Sequence, residues 1–245
     1  MGKKNSKDFF WPSYVDVMTN LFAITLVLFV VSFFLFKGKN AELEETNAQL
    51  EVIREEYVRV QAMNKAIQEW DNNPYFKYDV KHQKHILTLP FEYETDRCEI
   101  PSGLKNPEVE GDIKKVGESI IQTINELLTQ YVEADSLKQS FNIKFLVVIE
   151  GQASRIGGEE YNDILSYRRA LYLKKYWLNP ANSVSYNGLT FTDPNLKCEL
   201  IVSGSGFSGS PREPEFLSTG KANPANQRFL VHIVPVIDWN KKLQY

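Results

Sequence analysis

The chain has 245 residues, 43% hydrophobic and 24% charged, enough for one or two modest domains. A formal charge of −3, with no long Lys/Arg stripe outside the N-terminal tail, argues against nucleic acid as a partner. No nucleophile–base constellation with an orienting group stands out, so the chain reads as a non-enzyme that needs no cofactor.

Residues 1–14 read as a short cytoplasmic tail carrying Lys3, Lys4 and Lys7, and residues 15–36 as a transmembrane helix of about 22 residues. The apolar run is longer than a signal-peptide core, and Lys37-Gly38-Lys39-Asn40 offers no small-x-small cleavage site. An uncleaved, single-pass signal anchor is therefore expected. The basic residues ahead of the span favour a cytoplasmic N-terminus and an exported C-terminal bulk. Phe9, Phe10, Trp11 and Tyr14 suit an aromatic belt at the entry side. Asp16 lies inside this span. A carboxylate at such a depth costs roughly 2.5–3.5 kcal/mol on insertion scales, which points to an ion or proton site.

Residues 37–73 read as a coiled-coil linker. Leu43, Thr46, Leu50, Ile53, Tyr57, Val60, Asn64 and Ile67 recur at alternating steps of three and four, a seam of about four heptads. Asn64 falls at an a position, where an amide fixes register, so a parallel homodimer is expected. A single helix packed on its own domain is the alternative. Asp71-Asn72-Asn73-Pro74 should stop the helix.

Residues 74–245 read as one α/β (α+β) domain with a mixed sheet. Strands are expected at His85–Phe91, Ile143–Ile149, Cys198–Val202 and Phe229–Val236, and helices at Ile113–Tyr131 and Tyr161–Leu178, the second stopped by Asn179-Pro180. Cys98 and Cys198 would lie in an oxidising compartment, where either a disulfide between them or two unrelated thiols fits the sequence. His82 and His85 form an H-x-x-H pair without matching thiols or carboxylates, so no metal site is expected. Gly204-Ser205-Gly206-Phe207-Ser208-Gly209 lacks the Lys-Ser/Thr ending of a phosphate-binding loop. Glu150, Glu159 and Glu160 do not form a convincing acid/base pair.

Two stretches carry a family resemblance. Trp11-Pro12-Ser13-Tyr14-Val15-Asp16-Val17-Met18-Thr19, followed by the apolar helix, resembles the membrane segment of MotB-type stator subunits. It departs from the commoner pattern at Val15 and at Asn20-Leu21. The resemblance implies that Asp16 carries a translocated H⁺ or Na⁺, with Thr19 one turn along as an ion or water ligand. Gly151-Gln152-Ala153-Ser154, Gly157 and Tyr161-Asn162-Asp163-Ile164-Leu165-Ser166-Tyr167-Arg168-Arg169-Ala170 resemble the OmpA-like peptidoglycan-binding signature. Gly204-x-Gly206 and Asn226-Gln227-Arg228 continue that pattern.

Carried over by position, Arg169 would grip a stem-peptide carboxylate, with Tyr161, Asn162 and Leu165 lining the groove. Ser154 stands where the family has an Asp that engages the stem amine. Together the two resemblances imply the wall-anchored B subunit of an ion-driven stator, set in a bacterial inner membrane with its C-terminal domain in the periplasm. Its partners would be a second copy, peptidoglycan and MotA-like or ZorA-like multi-helix subunits, five around two copies by family precedent. The short linker leans toward the membrane subunit of Zorya-type anti-phage defence over a flagellar stator. A passive membrane-to-wall tether and an ExbD/TolR-like energiser are the competing readings. The choice between H⁺ and Na⁺, and a plug role for residues 38–49, stay open.

Overall fold

In the computed structural model the described residues are 10–68, 73–130 and 143–237. Lys3, Lys4, Lys7 and Phe9 of the tail, the stop residues Asp71 and Asn72, and Tyr131 lie outside them. The chain divides into two units, Met1–Val58 and Arg59–Tyr245.

The first unit contains most of helix α1 (Phe10–Gln68). Its apolar stretch reaches a mean hydropathy of 2.4 over 18 residues, long and apolar enough to cross a membrane. The side chains from Val15 to Phe36 are exposed, as a lipid-facing surface requires. Beyond the span the seam residues Leu43, Leu50, Ile53 and Tyr57 are exposed as well.

The second unit is built on a five-stranded mixed sheet. Its strands are β1 (Phe76–Asp79), β2 (Lys84–Leu87), β3 (Ile143–Gly151), β4 (Cys198–Gly204) and β5 (Phe229–Ile237), in the spatial order β1-β2-β5-β3-β4. β3 and β4 are parallel; the other pairs are antiparallel. The parallel pair needs a crossover, and helix α3 (Glu159–Leu178) supplies it. Helix α2 (Glu110–Leu128) buries Ile113, Val116, Ile120, Ile121, Ile124, Leu127 and Leu128 at helical spacing. Alternation along β3 sends Ile143, Phe145, Val147 and Ile149 into the same core.

The expected strand at His85–Phe91 ends at Leu87, since Pro90 has no N–H to continue a ladder. β1 was not expected; its four-residue length carries too little alternation to announce itself. The end of α1 differs more. Ile67, placed in the coiled-coil seam, is buried in the domain core together with Met63. His85 secures this helix end: its Nε2 lies 2.9 Å from the Ile67 carbonyl. A carbonyl only accepts, so Nε2 carries the proton. Cys98 and Cys198 are both free thiols, so the disulfide alternative is not realised.

Candidate functional site

The site lies where α3 meets the ends of β3 and β4. Gly151 and Gly204 are register partners there. A Cβ on Gly151 would meet the Ser166 carbonyl oxygen at 2.2 Å, and one on Gly204 the Tyr167 backbone nitrogen at 2.4 Å. Two facing glycines thus let the middle of α3 press directly on the sheet. Ser166 locks the contact by donating to the Asp163 carbonyl (2.9 Å) and accepting from the Gly206 N–H (3.0 Å).

Arg169, one turn further along α3, is only 4% exposed. Its guanidinium carbon sits 4.2 Å from the centre of the Tyr93 ring. Its Nε donates to the Arg97 carbonyl at 3.3 Å. Neither Nη group has a hydrogen-bond partner among the described residues, and neither is sealed from solvent. No carboxylate lies within ion-pair distance of it among the described residues. Burial lowers the Arg169 pKa, opposed by Tyr93, Tyr161, Cys98 and Asp96 nearby. The cation is thus buried and oriented, and two donor groups remain unspent. That arrangement suits a planar anion such as a carboxylate.

The other expected groove residues divide. Tyr161 is exposed and its hydroxyl donates to Asp96 Oδ1, which raises the Tyr161 pKa. Leu165 is half-buried, one turn from Tyr161. Asn162 does not face the groove. It is buried, and its Nδ2 donates to the carbonyls of Ile156 (2.9 Å) and Gly158 (2.8 Å), pinning the turn that leads into α3. Ser154 is also buried; its Oγ accepts from Gln227 Nε2 (3.1 Å). Gln227 Oε1 in turn accepts from the Tyr93 N–H (3.2 Å), so Ser154 steadies the residue beneath Arg169. Asn226 and Arg228 hold the loop ahead of β5 through Glu213, Pro211 and Gln152.

Tyr93, Asp96 and Gln227 had no sequence signal in this role. They reach the site from segments far from Arg169 in sequence, and only the packed loop after β2 brings Tyr93 and Asp96 to α3. Burial also raises the Tyr93 and Cys98 pKa values. The Tyr93 hydroxyl is buried without a hydrogen-bond partner among the described residues.

In the first unit, Asp16 is exposed on α1 among apolar neighbours. Thr19 Oγ1 donates to the Val15 carbonyl at 2.8 Å, so its proton is spent and its oxygen lone pairs remain.

No family model matches the chain, and no curated protein matches it in sequence. Among solved structures it is similar to the OmpA-like domain of FopA1 from Francisella tularensis, at 20% identity and a TM-score of 0.32, covering 66% of this chain and 81% of that one. It is also similar to the C-terminal domain of Helicobacter pylori MotB, at 18% identity and a TM-score of 0.33, covering 62% and 87%. The periplasmic domain of the same MotB gives 11% identity and a TM-score of 0.34, covering 69% and 93%. Overlaps this loose carry no argument; the side chains do.

Proposed function

We propose that this chain is the ion-carrying, wall-anchored subunit of a stator-type rotary motor, acting as a homodimer with multi-helix MotA-like or ZorA-like subunits. The observation that carries the anchoring half is Arg169: a buried guanidinium with both Nη groups uncommitted. A buried charge without a partner is strongly disfavoured, so its pocket reads as built for an anionic ligand. In peptidoglycan that ligand is a stem-peptide carboxylate.

Asp16 supports the motor half. Binding of H⁺ or Na⁺ neutralises it and lowers the cost of facing an apolar partner surface; release restores the charge and favours a polar niche. Two such carboxylates inside a partner ring convert ion flow into rotation, while the wall-bound domains hold the dimer still. A passive tether has no use for a carboxylate in the span. The N-terminus is cytoplasmic and the domain periplasmic in this reading. The compact unit begins at Arg59, soon after the apolar stretch ends at Phe36. This short connection favours a Zorya-like defence programme over flagellar motility.

The test uses the full chain co-expressed with its membrane partner, at matched expression. Asp16→Asn should abolish ion flux and biological output while sacculus binding persists. Arg169→Ala should do the reverse to wall retention, lowering co-sedimentation with purified sacculi by about tenfold or more. Retained flux in Asp16→Asn removes the motor reading. Equal co-sedimentation of Arg169→Ala removes the wall-binding one.

A further inference from the structure

A groove of about 800 Å³, within the size range of small-molecule sites, runs between the last turns of α1, the β1–β2 hairpin and β5. All of it belongs to the second unit, Arg59–Tyr245, and none of its lining residues belongs to the Arg169 site. The chain has three histidines, and His82, His85 and His232 all line this groove. Lys65 lines it as well, and no described Asp or Glu does, although acidic residues outnumber basic ones 31 to 28 in the chain. A wall with basic side chains and no carboxylate is the electrostatic complement of an anion.

Two of the imidazoles are held from behind. His82 Nδ1 lies 2.9 Å from Asp79 Oδ1, and His232 Nε2 lies 3.4 Å from Glu150 Oε2. An ionised carboxylate only accepts, so these nitrogens carry the protons. The second nitrogen of each ring has no partner among the described residues. The side-chain amides of Asn64, Gln68 and Gln83 hold no hydrogen bond among the described residues either. His85 joins the two walls, since its Nε2 donates from β2 to the Ile67 carbonyl of α1 at 2.9 Å. The groove is thus braced across its width and lined by polar groups that the fold itself does not use.

We infer that this groove binds a polyol phosphodiester, a singly charged phosphate flanked by hydroxyls. Lys65, the one permanent cation among the lining residues, matches one negative charge. The amides of Asn64, Gln68 and Gln83 match hydroxyls, which both donate and accept. The outer nitrogens of His82 and His232 donate to phosphate only when their rings are charged, so ligand and proton are taken up together. Around these rings stand Tyr78 and Asp79 on β1, Lys65 on α1, Lys84 and His85 on β2, and Glu150 on β3. The two anions keep their charge at neutral pH. The His82 backbone N–H lowers the Asp79 pKa. Glu150 is raised by burial but lowered further by His232, Lys84 and Ser205, and stands at about 2. The carboxylates therefore stay constant while the imidazoles titrate. This groove is independent of the wall-binding reading.

Isothermal titration calorimetry on the full chain in neutral detergent tests this, with glycerophosphoglycerol as the probe and glycerol as its uncharged control. The probe should bind at least about tenfold tighter than glycerol, and about tenfold tighter near pH 6 than near pH 8. Lys65→Gln, an exposed change, should weaken the probe about tenfold, whereas Arg169→Ala should bind it as wild type does. His82→Gln combined with His232→Gln should remove the pH dependence. Two sources share this chemistry, and two further arms separate them. Phosphatidylglycerol added to the micelles displaces the probe if the ligand is a lipid headgroup; poly(glycerol phosphate) binds tighter per phosphate if it is a polymer. Equal binding of probe and glycerol overturns the inference, as does wild-type affinity in Lys65→Gln. A pH dependence that survives the double change overturns the role given to the imidazoles.

Discussion

Glu150 shows at the residue scale how this domain handles a buried charge that does have partners. It is 7% exposed, and it takes hydrogen bonds from Lys84 Nζ (2.8 Å) and Ser205 Oγ (2.7 Å), with His232 Nε2 at 3.4 Å. Burial pushes its pKa up, but the bonds from His232, Lys84 and Ser205 outweigh it and hold the carboxyl at about 2. The folded value lies below the ordinary one of 4.5. Its contribution to stability is therefore present above pH 4.5 and is lost as pH falls toward 2. Thermal unfolding of Glu150→Gln should accordingly show a flatter loss of stability across that window than wild type, the difference being on the order of 3 kcal/mol. Identical pH profiles would mean the network adds nothing.

Arg169 is the contrast, a buried charge without a carboxylate partner among the described residues, and that contrast makes it the candidate site. Its place on α3 beside Leu165 and Ser166 was legible because the Asn-x-x-Leu-Ser-x-x-Arg-Ala spacing is local to one helix. The supporting roles of Ser154, Asn162 and Gln227 were not legible. Whether a polar side chain faces a groove or ties down a loop depends on partners distant in sequence.

At the scale of elements, the main helices and strands were readable from periodicity, with ends that moved by a few residues. Ile143–Gly151 and Phe229–Ile237 are central strands, and their dense β-branched runs announce them. The short β1–β2 pair was only half seen, and the loop after β2 not at all, because neither has a period. A close backbone-to-backbone contact of the domain rests on the glycine pair beneath α3. Gly151→Ala would drive a methyl into the Ser166 carbonyl, a backbone atom that cannot step aside. It should destabilise the domain by about 1–3 kcal/mol, read as a Tm lower by several degrees. Because Arg169 rides on the same helix, sacculus binding should weaken in parallel. An unchanged Tm would show that α3 lifts off freely.

For the whole molecule, the seam along α1 is the feature on which the proposed dimer rests. Leu43, Leu50, Ile53 and Tyr57 remain exposed in the single chain, and an apolar stripe of that length is costly in water. In the proposed motor, this stripe would be buried against a second copy in a parallel dimer. The paired change Leu50→Glu with Ile53→Glu should convert the full chain in detergent from dimer to monomer by light scattering. The Tm of the domain should not move, since neither residue lies in its core. A persistent dimer would place the interface elsewhere. The sequence alone could not separate this seam from a self-packed helix, because an apolar stripe records that something covers it and not what. Here the helix divides: from Leu43 to Tyr57 the stripe is exposed, Val60 is half-buried, and its last residue, Ile67, is taken into the fold.

That last turn has a mechanical consequence. Met63 and Ile67 are seated in the core, and the helix end is latched by His85. Within the second unit, the last turns of the helix therefore sit as a peg in a socket. A pull on it is met by hydrophobic side chains that must be extracted before the link yields, whereas a slack leash would stretch under any load. If the chain is the proposed motor anchor, resisting torque is better served by the peg.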